Sequence, residues 1–125
     1  MPDGDARSGF PGPRLDGFTG LCALNIGRLT QAERGLGAAF AALASNRDRV
    51  QRAIVGSDLA LTRIRGGHPV AGAALLHEVV GLVAAAGGRV PMRRIRKVRQ
   101  ELRPWRGERF VADLDDHLHD AFLGR

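Results

Sequence analysis

The chain has 125 residues, 44% hydrophobic and 26% charged, with 19 basic against 13 acidic side chains and a formal net charge of +6. That length and composition fit one soluble domain with a core of its own, needing neither metal nor disulfide, and the lone Cys22 excludes an internal disulfide. Tyrosine is absent, alanine and leucine dominate the apolar set, and β-branched residues come only in short clusters, so helix is favoured over sheet.

Residues 1–17 hold Pro2, Pro11, Pro13 and four glycines with little apolar content, and read as a flexible arm. They lack the basic and apolar regions of a signal peptide, and with a single thiol the expected compartment is the cytoplasm. Cys22, beside Leu21, Ala23 and Leu24, reads as a small apolar residue rather than a reactive thiol. Residues 18–125 are then one helical domain. Thr30-Gln31-Ala32-Glu33 has the form of a capping box and predicts a helix start, with Leu36, Phe40 and Leu43 buried. Asn46 caps a second helix, with Val50, Ile54, Leu61 and Ile64 inward; Gly56-Ser57-Asp58 is a point where it would kink or divide, and Gly66-Gly67 ends it.

Pro69 opens a third helix, over 69–86, that is apolar nearly all round and so belongs at the centre of the core or in a homodimer interface. His77 and Glu78 interrupt it, which argues against a membrane span. Pro91 starts a fourth helix ending near Arg103, before Pro104, and a fifth covers about 107–123 with Val111, Leu114, Leu118 and Phe122 inward. No internal repeat stands out. The fold class is all-α: a compact bundle of about five helices behind a disordered N-terminal arm.

Charge is concentrated in the fourth helix and its flanks. Between residues 89 and 109 nine basic side chains (Arg89, Arg93, Arg94, Arg96, Lys97, Arg99, Arg103, Arg106, Arg109) face two acidic ones, Glu101 and Glu108, a net +7. Met92, Ile95, Val98 and Leu102 share one face at 100° per residue. Arg93, Arg96, Lys97, Gln100 and Arg103 occupy the other, with Arg94 and Arg99 at the flanks. One face should dock on the body while the other offers cations and an amide able to read adenine. Such a field suits a polyanion, nucleic acid first and DNA before RNA, with an acidic protein partner, an anionic membrane surface or an ordinary solvated surface as alternatives. Trp105 reads either as a plug of the core or as a base-stacking side chain.

A long helix, the short turn Gly87-Gly88-Arg89-Val90 and then this amphipathic helix resemble a helix-turn-helix unit over residues 76–103. The resemblance implies that the second helix enters the major groove, with Met92, Arg93, Arg96, Lys97 and Gln100 facing the bases. Arg89, Arg106 and Arg109 would then hold the flanking backbone, in a transcriptional regulator or accessory factor of phage or mobile-element type. A half-site reader implies a homodimer, with residues 70–86 as the interface. The other register, with the last helix as reader, is disfavoured because Asp113, Asp115, Asp116 and Asp120 would repel phosphate. Arg99 is left out of the expected contact set, whereas Arg94 is included.

No enzyme is expected. His117 and His119 are two apart and diverge round a helix, His77 and Glu78 are adjacent, and His68 sits in a turn, so neither a metal nor a cofactor is called for. Asp115-Asp116-His117 has acid–base residue types but no nucleophile motif or phosphate loop beside it. A helical adaptor within a protein assembly is the competing reading.

Overall fold

Amphipathic segments joined by tight glycine turns fold back on one another, and here they do so twice in the same way. The computed structural model describes residues 12–44, 48–86 and 89–122, apart from the side chains of 12–16, 18, 86, 89 and 90. Among the described residues there are six α-helices and no strand: α1 (Gly12–Asn25), α2 (Leu29–Ala42), α3 (Arg49–Arg65), α4 (Pro69–Ala86), α5 (Arg89–Gln100) and α6 (Arg109–Phe122). A 3-10 turn, Arg103–Trp105, joins the last two. The architecture is all-α, as expected, with one helix more.

The additional helix is α1, which takes in residues 12–17 of the expected arm; Asn46 lies outside the described residues. Glycines that read as flexibility serve packing instead, since Gly17 lies against Ala39 and Val55, and Gly20 against Leu36. Cys22 is exposed, not part of the apolar interior.

The turns α1–α2 and α3–α4 are equivalent at an offset of forty residues. Gly27 (φ 81°) and Gly67 (φ 88°) both take the left-handed conformation that ends a helix. Around them the bonds repeat: Arg28 and His68 N–H donate to Ala23 and Arg63 O at 2.8 Å, and Gly27 and Gly67 N–H to Leu24 and Ile64 O at 3.1 Å. The chain thus contains two matched helical hairpins, a repeat the sequence hides because the flanking side chains differ. The capping box is not formed. Helix α2 begins at Leu29 with Arg28 at its N-cap and no side-chain cap, and Glu33 pairs with Arg63 across the hairpins at 3.4 Å.

Helix α3, not α4, is the centre, touching α1, α2, α4 and α5. It runs unbroken through Gly56-Ser57-Asp58. A Cβ on Gly56 would lie 2.6 Å from Val79 Cγ2 and 2.8 Å from Phe40 Cε1, so the residue is where α2 and α4 press on the α3 backbone. Buried Ser57 and Thr62 satisfy their hydroxyls within the helix, donating to Ala53 O (2.8 Å) and Asp58 O (2.9 Å). Val50, expected inward, is exposed, lying in the first turn of α3 ahead of the buried stretch that begins at Ala53. The core closes with Leu76, Val79 and Val80 of α4, Ile95 and Val98 of α5, Leu102, and Val111 and Leu114 of α6.

Candidate nucleic-acid interface

Helix α5 lies on the body as its periodicity demands. Pro91, Ile95 and Val98 are buried and Met92 half-buried, resting on α3 more than on α4, while Arg93, Arg96, Lys97 and Gln100 are exposed. Leu102 is buried just beyond the helix, which ends one turn before the expected Arg103. Arg103, Arg106 and Arg109 continue the exposed basic surface through the 3-10 turn to the start of α6. Trp105 between them is half-buried and packed on the core.

The two flanking arginines behave differently from the outward set. One Arg94 nitrogen donates to both oxygens of Asp58, at 2.9 and 3.1 Å, and so ties α5 to the centre of α3. Asp58 is nearly buried, and that desolvation raises its pKa above the ordinary value. The charge and hydrogen bond of Arg94, and the charge of Lys97, pull it back down. Arg99 grips Asp115 of α6 with a two-pronged contact, Nε and one terminal nitrogen on the two carboxylate oxygens at 2.5 and 2.8 Å. That bond holds the Arg99 pKa above its ordinary value. Arg94 therefore fastens α5 to α3 while its side chain stays 39% exposed, and one acid of α6 screens the basic helix from within the same chain.

Arg65 of α3 pairs with Glu101 at 3.3 Å, fixing the end of α5, and Arg109 makes a longer 3.4 Å pair with Asp113 while staying 90% exposed. Arg106 donates to the Arg103 carbonyl. Among the described residues no carboxylate lies in ion-pair range of Arg93, Arg96, Lys97, Arg103 or Arg106. The Arg89 side chain and the Gly87-Gly88 turn lie outside the described residues.

Two further clusters were not legible in the sequence. His77 of α4 and His117 of α6 meet with Nδ1 atoms 2.8 Å apart. Arg52 of α3 sits 3.9 Å over the Phe40 ring, donates to the Phe40 carbonyl and pairs with Glu78. Among the described residues no group of three or more His, Cys, Asp or Glu side chains is arranged to hold a metal ion. No described helix is long and apolar enough to cross a membrane. Comparison with protein-family models, curated proteins and solved structures returns no match, so the chemistry of the site rests on its own geometry.

Proposed function

We propose that the chain is a nucleic-acid-binding protein, duplex DNA being the favoured ligand, and that the exposed face of α5 with the turn after it is the contact surface. The observation that carries this reading is selective neutralisation. Arg94 and Arg99 are paired with the protein's own aspartates, whereas among the described residues no carboxylate comes within ion-pair range of Arg93, Arg96, Lys97, Arg103 or Arg106. Unpaired guanidiniums at this density repel one another and gain from phosphate, which each can grip with two parallel hydrogen bonds. Helix α5, at 12 residues about 18 Å long, is slim enough for a major groove some 12 Å wide. Its apolar underside fixes which residues face out. In this reading Arg93, Arg96 and Lys97 meet phosphates or guanine edges, Gln100 adds a base contact, and Arg103, Arg106 and Arg109 hold the flanking backbone. The helix-turn-helix arrangement of α4 and α5, a role in transcription and a homodimer through α4 belong to the same proposal.

Fluorescence anisotropy with a labelled duplex of mixed sequence, titrated at several salt concentrations, tests it. The affinity should fall steeply with salt, and the Arg93→Ala/Arg96→Ala/Lys97→Ala variant should bind more weakly with a log–log slope smaller by about 2.7, three phosphates at 0.9 each. Equal binding by the variant, or no binding by the wild type, would sink the reading and leave an acidic protein surface as the ligand of this face.

A further inference from the structure

The histidine pair owes nothing to the basic helix and has a chemistry of its own. The two ring centroids are 5.0 Å apart and the planes differ by 17°. With Nδ1 atoms only 2.8 Å apart, the remaining distance is what two ring radii occupy when each Nδ1 lies on the line between centroids. The imidazoles therefore meet edge to edge, almost coplanar, and not face to face. That is the geometry of a nearly straight N–H···N hydrogen bond, in which one ring donates and the other accepts.

We propose that His77 and His117 form a proton-sensitive latch of α6 on α4, closed while the pair holds at most one positive charge and open when both rings are protonated. In the neutral pair one Nδ1–H donates to the lone pair of the other Nδ1. The donor ring then has a bare Nε2, and the first added proton goes there. The donor becomes an imidazolium, the hydrogen bond becomes charge-assisted, and the contact tightens. A second proton has only the accepting Nδ1 left to occupy, which removes the lone pair holding the bond. Two N–H groups then point at each other across a gap that fits one proton, and the rings must part.

The surroundings favour this order. Burial, and next the charge of His117, hold His77 below its ordinary pKa, while the Asp113 carboxylate opposes them. Asp113 lies one turn before His117 on α6 and is drawn to Arg109. Glu78, beside His77, is taken by Arg52 of α3, and Arg99 of α5 is taken by Asp115. Asp116 and Asp120 flank His117 on α6 and are exposed. What the latch holds is the last part of α6. Val111 and Leu114 are fully buried, but Leu118, Ala121 and Phe122 are only partly covered, so the final turns depend more on the histidine contact.

Amide hydrogen exchange of α6, corrected for intrinsic exchange and followed from pH 8 to pH 5, reads the opening directly. Opening that takes up one proton grows about tenfold per pH unit as pH falls from the ordinary imidazole range towards the pair's depressed second protonation, and levels off below it. The last turns of α6 should show that slope in the wild type and lose it in both His117→Gln and His77→Gln. Imidazole NMR on the wild type alone gives an independent reading: the two rings should titrate in separate, coupled steps. In His117→Gln the His77 ring should titrate at higher pH than in the wild type. Protection of α6 that ignores pH, or two rings that titrate as independent single sites, would overturn the latch.

Discussion

At the scale of single residues, the contact most exposed to test is Arg94 on Asp58. Removing the guanidinium strands a nearly buried carboxylate, so Arg94→Met should cost on the order of 3 kcal/mol near neutral pH. The folded Asp58 pKa is already raised by burial, and losing Arg94 raises it further. Between the ordinary value and that raised value the native state holds more protons than the unfolded one, so stability increases as pH falls through the window. Urea unfolding of Arg94→Met and wild type should therefore show a gap that narrows on acidification, while Asp58→Leu/Arg94→Met should recover much of the loss at all pH values. A gap independent of pH would mean that packing, not charge, sets the cost. This pair shows what the sequence could and could not convey. Arg94 at the flank of α5 follows from helical periodicity alone. Its partner sits 43 residues before Glu101, the nearest other acid of the site, inside Gly56-Ser57-Asp58, a run whose local preferences spell a break in the helix. The same holds for His77 and His117, which diverge from every histidine near them in sequence and meet only because α4 and α6 dock.

At the scale of elements, α3 is the case in which composition misled most. Its glycine, serine, aspartate and threonine make it look like a divided surface helix, whereas those residues let four neighbours crowd it. Gly56→Ala tests the crowding. Alanine gains about 1 kcal/mol in helix propensity, but here its methyl must displace Val79 and Phe40, and overpacking typically costs about 1–3 kcal/mol. Thermal unfolding should show a net loss of stability; a gain would mean that the Phe40 ring swings aside freely. Helix α5 is the opposite case, legible from sequence because one strong period sorts all its residues. Its hidden feature is the tie to α6. Asp115→Asn frees Arg99 and deletes a negative charge beside the basic face. On the proposed function, duplex affinity should rise and the salt slope steepen by about 0.9 if Arg99 reaches a phosphate. Stability should fall by on the order of 1 kcal/mol, as for other exposed ion pairs. Unchanged affinity would place Arg99 outside the contact surface.

For the whole molecule, two opposing titrations shape stability against pH. His77 has a folded pKa below its ordinary 6.5, so around pH 6 the unfolded chain binds more protons than the native one and stability falls on acidification. Asp58 contributes in the other direction at lower pH. The melting temperature should decline below pH 6.5, and less so in His77→Gln. How cooperative that unfolding is follows from the hub arrangement. Because α3 contacts both helices of the first hairpin as well as α4 and α5, and α4 carries α6, no helix can leave without exposing part of the shared core. The single tryptophan makes this measurable, since Trp105 lies at the α5–α6 junction, half-buried against that core, while far-UV circular dichroism reports the helices together. At pH 7.5, urea curves from the two probes should superimpose. A tryptophan transition that precedes the loss of helix would show that α5 and α6 form a separately docked unit. The basic face would then ride on a support that moves independently of the two matched hairpins.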